Sequence, residues 1–586
     1  MKERHYGNPV VYLYKKMWHY AGDGKSSMVL YICMFILVGI FESLVEPLVW
    51  SHVINKIQQE GITSANIYGI FGALSLIILS ALVFWAVHGP ARVIERGAAY
   101  EKIKINYRAF LLKGTLGLPL DWHKSHHSGK TIDQVNKGTQ GLFSFSETSF
   151  EIIYACLELI ISCTMLALFL PWSLVITLGM FGVSICIIRR FDKTLNENNR
   201  RLARAENEIA EITADGIGNM TTVITLRIQK SIFGSIMEKT RKPFSLFRAN
   251  NIVNELKWFS TNLLCSIMVV TVFGLYIFQH IDKQILFGNI ILLQTYLRNI
   301  SKLFSRFAGI YNRAMFQQVQ VMNAEELAEN FDENPLINHV LPSTWVTLSI
   351  ENLFLSYTGP DGPYKLQDIS VNIRHGQKIA VIGKSASGKS SFLHVLRDLH
   401  RAQKLHLSID GVTIQDGFAG IAEGIALTPQ TPEIFASTIL ENLTFGVSYS
   451  EDQIKEALQI SCFDEVVGRL PNGLATHLGE DGLGLSGGER QRLALARGIL
   501  ASIGKDIILA DEPTSSLDAE TTRRVFTGLL DRFKDKTVIC TIHDLGQLEH
   551  FDTVFMFDKG KLVGVGTPEE LRNTCHEFRE LCQYAD

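Results

Sequence analysis

The clearest chemistry in the sequence lies in one short run, Gly383-Lys384-Ser385-Ala386-Ser387-Gly388-Lys389-Ser390. Its glycines let backbone N–H groups turn inward together, which is how a loop closes around polyphosphate oxygens. The run follows an apolar stretch, KIAVI, and precedes SSFLHVLRDL, so it sits between a strand and a helix N-terminus. The helix dipole there favours the same anion. Lys389 can reach the terminal phosphates, Ser390 can coordinate Mg²⁺, and Ser391 continues the hydroxyl face. A second apolar run, DIILADE, ends in Asp511 and Glu512. Paired carboxylates at a strand end suit two jobs: Asp511 would support Mg²⁺, and Glu512 would polarise an attacking water. Acidic strand ends also serve as simple caps, so this pair gains meaning only from its position after the phosphate loop.

These residues need a sheet to hold them. From about residue 331 the texture becomes short β-rich runs (WVTLSIENLFLSY, QKIAVIGK, TVICTIH, TVFMFDKGKLVGVG) alternating with helical segments. That alternation predicts an α/β domain over 331–586. Residues 1–330 differ. A bilayer core of ~30 Å needs ~20 apolar residues as helix, and six runs qualify: about 28–54, 67–89, 149–170, 172–188, 259–278 and 284–305. Pro171 and Trp172 separate the third and fourth as a tight hairpin. The predicted fold class is therefore a membrane all-α domain of six transmembrane helices followed by an α/β phosphate-loop domain.

Charge supports the division. The whole chain of 586 residues is nearly neutral at −3. Residues 1–330 hold 33 Lys+Arg and 24 Asp+Glu, a net of +9, which leaves −12 for the remainder. Connection 90–148 carries nine cations, and 189–258 is similarly basic, whereas 55–66 holds only Lys56 and 279–283 only Lys283. Basic loops stay cytoplasmic, so both termini are expected there. The excess thus reflects topology, and no nucleic-acid partner is expected. Both long connections show helical spacing and are expected to continue the spans as helices into the cytosol. Residues 8–25 are amphipathic and are expected along the inner membrane surface. Nine cysteines without a C-x-x-C pair argue against a disulfide framework or zinc site. The N-terminus has neither signal-peptide nor transit-peptide character. His123, His126 and His127 cluster in LPLDWHKSHHSGK, but with no confirmed acidic or thiol partner a solvated or docking turn is the expected reading over a ligand cluster.

Between the two phosphate-site motifs stands Leu485-Ser486-Gly487-Gly488-Glu489, followed by RQRLALARGIL. With it the chain resembles the ATP-binding-cassette (ABC) family, and the membrane half makes it similar to a half-size ABC exporter. The specific motifs lie within 350–550; the membrane half matches in layout. The resemblance implies roles for several further residues. Gln430, in ALTPQTPEIF, would sense Mg²⁺ and the water. Tyr357 would stack on adenine, His543 would contact the γ-phosphate, and Ser515–Asp518 would form the loop facing the opposite subunit. Ser486, Gly487 and Gly488 would donate to the γ-phosphate across a dimer interface. The cofactors implied are ATP and Mg²⁺. The partners implied are a second copy of the chain (or a related half), the lipid bilayer and an unidentified substrate. The turns at 118–130 and 213–222 look like the family's coupling helices. Glu489 stands where Gln is commoner, and Pro513, Thr514 and Ser516 also depart from common choices, but no needed functional group is lost. Intact residues favour a homodimer over a heterodimer.

Ionisable residues inside spans are costly and usually face an interior. Glu42, Glu46 and Glu158 are candidates to line a substrate cavity preferring cationic or polar cargo; equally, Glu158 could pair with Arg298. The function expected is an ATP-driven exporter of a lipid, peptide, drug or metabolite, in a bacterial inner membrane. An importer or an ATP-gated channel on the same scaffold are the alternatives. Six spans exclude a soluble ATPase role.

Overall fold

The computed structural model describes residues 8–126, 128–281, 284–331, 341, 344–357, 362–431, 433–479 and 484–583. The expected domain boundary near 331 and His127 adjoin or fall in stretches outside these residues. Two units separate by contact: residues 1–116 with 128–331, and residues 117–127 with 332–586. The turn at 117–127 therefore packs with the second unit, although it interrupts the first in sequence.

The first unit is helical. Helix α1 (Pro9–Tyr20) starts with proline in its first turn and an Asn8 side chain accepting the Val10 N–H at 2.9 Å. Proline there loses nothing, because that N–H has no helical partner. Helices α2 (Lys25–Glu60) and α3 (Ile67–Gly97) follow, the latter running through wide turns at Ala98–Lys104 into α4 (Ile105–Leu116). The short α5 (Leu120–Ser125) belongs to the second unit. Helices α6 (Ser128–Glu147), α7 (Ser149–Phe169) and α8 (Pro171–Gly218) come next. Then follow α9 (Met220–Thr225), α10 (Gln229–Arg241), α11 (Phe244–Gln279) and α12 (Phe287–Ala328). Helix α2 buries Met28, Tyr31, Phe35 and Val38, the three- and four-residue spacing of one face. A Cβ on Gly39 would lie 2.9 Å from Leu157 and from Tyr154, so this glycine permits the close approach of α2 to α7.

Among the described residues, five stretches are long and apolar enough to cross a membrane: Gly22–Glu60, Ile67–Leu116, Ser128–Phe169, Pro171–Gly218 and Gln229–Gln279. The sixth expected span falls on α12, which has the length but is spotted with Arg298, Lys302, Arg306 and Arg313. Part of that charge is offset within the unit, since Arg306 pairs with Glu158 at 3.5 Å and Arg313 with Glu151 at 2.6 Å. The hairpin at Pro171 is present, with Leu170 out of helical conformation at φ −151° and Pro171 opening α8. Helix α8 then runs for 48 residues, about 70 Å at 1.5 Å per residue. The expected helical extension is thus continuous with its span. The turn expected at 213–222 lies later, because α8 continues to Gly218 and the short helix is α9.

The second unit is built on two sheets. Strands β1 (Thr347–Leu355), β2 (Leu366–Arg374), β4 (Lys404–Ile409) and β5 (Val412–Thr413) form an antiparallel sheet in the order β2-β1-β4-β5. The other runs β10-β9-β3-β8-β7-β6. Its strands are β3 (Lys378–Gly383), β6 (Ile425–Thr428), β7 (Ile507–Asp511), β8 (Thr537–Thr541), β9 (Thr553–Asp558) and β10 (Lys561–Gly566). All neighbours in it are parallel except β9 with β10. Parallel strands are covered on both faces, and β3, β7 and β8 are buried at every position. Alternation assigns the faces: Ala380, Ile382, Ile508, Ala510 and Val538 enter one core, while Ile379, Val381, Ile507, Leu509 and Ile539 enter the other. Around the sheets lie α13 (Lys389–Leu396), α14 (Ile439–Thr444), α15 (Glu451–Ile460), α16 (Asp464–Arg469), α17 (Gly487–Ala501), α18 (Ala519–Arg532), α19 (Pro568–Thr574) and α20 (His576–Gln583). All nine cysteines are free.

Candidate functional site

In an open parallel sheet the ends of strands carrying carbonyls forward open onto the ligand crevice. Here the residues singled out by sequence follow those ends. The phosphate loop follows β3, Gln430 follows β6, Asp511 and Glu512 end β7, and His543 follows β8.

The loop has the conformation its glycines permit. Gly383 adopts φ +150°, and a Cβ there would sit 2.2 Å from the Phe557 carbonyl oxygen and 2.7 Å from Ser387 Oγ. Ala386 is left-handed at φ +63° although it has a side chain. Lys389 opens α13, is 5% exposed, and donates to the carbonyls of Gly383 (2.9 Å) and Lys384 (3.2 Å). Burial lowers its pKa, against the opposing pull of Glu512 and Asp511. Ser387 Oγ is buried with no hydrogen-bond partner among the described residues. An orphaned hydroxyl and a buried ammonium within one loop suit an anionic ligand. The Lys384 side chain turns to Glu580 at 3.1 Å, so that residue offers the loop its backbone.

The carboxylates are held differently. Asp511, 1% exposed, accepts from Thr541 Oγ1 at 2.7 Å and from Ser390 Oγ at 3.1 Å. His394 Nε2 lies 3.9 Å from its other oxygen; burial lowers the His394 pKa, Asp511 raises it, and His400 and Lys124 lower it further. Glu512 stands in left-handed backbone at φ +48°, rare for a residue with a side chain. Its N–H donates to Thr541 Oγ1 at 2.7 Å, and its carbonyl accepts from Gln491 Nε2 at 2.9 Å. Its carboxylate is bracketed: Gln430 Nε2 lies 2.6 Å from Oε2 and His543 Nε2 lies 2.6 Å from Oε1. Gln430, Glu512 and His543 are thus one cluster, although 82 and 31 residues separate the partners from Glu512.

Sequence reasoning missed Gln491, Thr541 and His394. Gln491 sits on α17, 6% exposed, and also meets Ser515 Oγ and the Ser516 N–H. It ties the helix of the signature run to the loop after the carboxylates. Its signal was present, as the buried-face Gln in RQRL, but only the fold shows what it faces.

Ser486 is the N-cap of α17, with a full capping box: its hydroxyl accepts the Glu489 N–H at 3.3 Å, and Glu489 accepts the Ser486 N–H at 2.8 Å. That backbone bond is the main cause of the depressed Glu489 pKa, with Arg469 assisting at 2.5 Å. Gly487 opens the helix, and a Cβ on Gly488 would lie 3.0 Å from the Ser516 carbonyl oxygen. Tyr357 follows β1 and lies half exposed, its hydroxyl 2.8 Å from Ser391 Oγ.

In the first unit Glu42, Glu46 and Glu158 do share a cavity, of about 590 Å³. Lys302 and Arg306 of α12 line it too, with Trp50, Phe84 and Tyr154 among its aromatic walls. The partner of Glu158 is Arg306, two turns beyond the Arg298 named as an alternative. No group of three or more His, Cys, Asp or Glu side chains placed to hold a metal occurs among the described residues, and His127 of the sequence cluster lies outside them. His126 instead stacks on Trp122, with ring centroids 4.1 Å apart.

Two family models match this chain: "ABC transporter" over residues 366–515 and "ABC transporter transmembrane region" over 29–302. Among curated proteins, heavy metal tolerance factor 1 of Caenorhabditis elegans is 26% identical over 475 residues, covering 79% of this chain and 58% of that protein. The mitochondrial iron–sulfur clusters transporter ATM1 of Yarrowia lipolytica is 26% identical over 484 residues, 81% of this chain and 66% of that one. The chain therefore spans less than two thirds of the length of either. A solved structure of a bacterial Atm1-family ABC exporter with ATP bound superposes with a TM-score of 0.83 at 18% identity, over 96% of this chain and 98% of that one. The motifs and the two matched regions agree, and the chain belongs to the ABC transporter family, carrying a transmembrane region and an ATP-binding cassette on a single polypeptide, with a fold shared with the ABC exporter structure.

Proposed function

We propose that this chain is one half of an ATP-driven exporter, which pairs with a second copy of itself and couples ATP hydrolysis to movement of a cargo across a membrane. The observation that carries this reading is the gathering of Gln430, Asp511, Glu512 and His543 beside the phosphate loop, in a chain that also has membrane-length helices, five among the described residues. Lys389 and the loop N–H groups hold the β- and γ-phosphates, and Tyr357 offers its ring to the base. Glu512 accepts a proton from the attacking water, while His543 and Gln430 orient that carboxylate. Ser390, Asp511 and Gln430 are hard oxygen donors that fit Mg²⁺, and Ser390 already meets Asp511 at 3.1 Å. When bound, Mg²⁺ neutralises charge on the phosphates. In the dimer, Ser486, Gly487 and Gly488 face the γ-phosphate held by the other subunit. The basic connections support a reading in which both termini are cytoplasmic and the protein sits in a bacterial inner membrane.

The cavity in the first unit is the cargo compartment. Its volume lies within the ~300–1,000 Å³ range of small-molecule sites. Glu158 is already answered by Arg306, so Glu42 and Glu46 are the acids left to face cargo, and aromatic walls beside them suit a cationic nitrogen. The chain is tested in proteoliposomes with cassettes outward, following ATP-dependent uptake of amine-bearing, acidic and neutral metabolites. Uptake of amine-bearing cargo is expected, cut about tenfold by Glu42→Gln with basal ATP turnover intact, an effect of one lost charged contact. Transport unchanged by Glu42→Gln and Glu46→Gln together would end the assignment of the cavity.

A further inference from the structure

Helix α1 has two faces in different company. Leu13, Met17 and Tyr20 are buried, at the three- and four-residue spacing of one stripe. Polar groups fasten the helix within the first unit. The Tyr12 hydroxyl donates to Glu325 of α12 at 2.5 Å, Lys16 pairs with the same carboxylate, and the Tyr14 hydroxyl donates to the Ser149 carbonyl at 3.2 Å. The second face is apolar too, yet it stays open. Val11 is 52% exposed and Trp18 44%, and with Tyr14 they form one wall of a groove of about 440 Å³. Met28 and Ile32 of α2 form the other wall. The rim carries charge of one sign. Lys15 lines the groove and is exposed, and the Lys25 ammonium stands over the Trp18 ring, 5.6 Å from its centroid. No carboxylate among the described residues lines the groove: Glu325 is engaged by Tyr12 and Lys16, and Asp23 of the turn before α2 lies outside the lining.

An apolar groove at the edge of a bilayer does not select its occupant by apolarity, because lipid tails are as apolar as the side chains around them. Charge makes the selection. Met28 and Ile32 stand in the first turns of the expected span, and Lys25 opens the same helix. An acyl chain laid along that wall for about 10 Å, at 1.5 Å per residue, therefore ends beside the two lysines. We propose that this groove is a binding site for one anionic phospholipid, its acyl chain on Met28 and Ile32 and its phosphate between Lys15 and Lys25. A headgroup that also carries an ammonium, such as choline, brings a like charge to the same rim and is disfavoured. The groove shares no lining residue with the cavity of Glu42 and Glu158, and its lipid is a resident ligand rather than cargo. The proposal requires only that the chain sits in a bilayer, so failure of the cargo assignment leaves it standing.

Trp18 supplies the readout, since it lines the groove. The full chain is placed in phosphatidylcholine nanodiscs containing a rising fraction of phosphatidylglycerol or phosphatidylcholine with brominated chains, which quench indole fluorescence on contact. The Trp18 signal is the part of the quenching that Trp18→Phe removes. Brominated phosphatidylglycerol is expected to half-quench it at a mole fraction at least about fivefold lower than brominated phosphatidylcholine. Lys15→Gln and Lys25→Gln should each raise that fraction about fivefold, the scale of one cation at an anionic headgroup. Lys15→Arg and Lys25→Arg should keep the preference, and Lys56→Gln, outside the groove, should not alter it. Millimolar glycerol phosphate should displace nothing. Equal quenching by the two lipids would mean unselective boundary lipid, and absence of Trp18 quenching by either would mean that protein covers the groove. A preference that survives the double Lys15→Gln, Lys25→Gln variant, or displacement by glycerol phosphate, would equally overturn the proposal.

Discussion

Glu512→Gln is expected to bind ATP normally and to lose at least about a hundredfold in hydrolysis, the usual scale for removing a positioned general base. The substitution changes little else. The amide keeps the size of the carboxylate, and one of its atoms can still accept from Gln430 Nε2, which now lies 2.6 Å from Glu512 Oε2. The other can donate to His543 Nε2, provided the imidazole takes its other neutral tautomer. The backbone bonds to Thr541 and Gln491 involve no side-chain atom of residue 512 and persist. Equilibrium ATP binding and initial hydrolysis rates on the same preparation separate the two effects. Wild-type turnover in this variant would place the base elsewhere.

The second large effect is expected at the other wall of the site. Gly383→Ala should abolish measurable ATP binding and destabilise the cassette. The new Cβ would fall 2.2 Å from the Phe557 carbonyl oxygen, a backbone atom that cannot rotate away. Relief requires β3 and β9 to separate where Gly383 pairs with Phe557, which moves the mouth of the phosphate loop. Backbone strain at φ +150° adds about 1–3 kcal/mol. Gly376→Ala is the matched control, since Gly376 is also at positive φ (+80°) but a Cβ there meets nothing within 4 Å. It should cost some stability and leave ATP affinity unchanged. Equal loss of binding in both variants, measured by ATP titration, would show that strain alone governs the loop.

What could be read in advance divides along a physical line. The phosphate loop, the β7 carboxylates and the signature run are contiguous, because backbone groups of neighbouring residues must act together there. Membrane-length apolar helices, five among the described residues, were legible because the bilayer imposes length and apolarity on each segment separately. The weak point was α12, where side chains of a neighbouring helix offset charges that composition alone counts against a span. Partnerships between distant segments were not legible. Glu158 meets Arg306 rather than Arg298 because the relative rotation and offset of α7 and α12 decide it, and neither helix encodes that alone. The same holds for Gln491 under Glu512 and for Asp121 beside His400. The second short turn slid to Met220–Thr225 because nothing in ADGIG stops a helix as long as α8.

The bracketed carboxylate of Glu512 has one more consequence. A motor that hydrolyses its fuel whenever fuel is bound would run in neutral, warming its surroundings and moving nothing. Here the residue that would fire the reaction rests with a donor on each oxygen, one from the end of β6 and one from beyond β8. On the proposed reading those two donors aim the carboxylate, and because they come from different strands, displacement of either strand end would turn it from the water and let fuel be held without being spent.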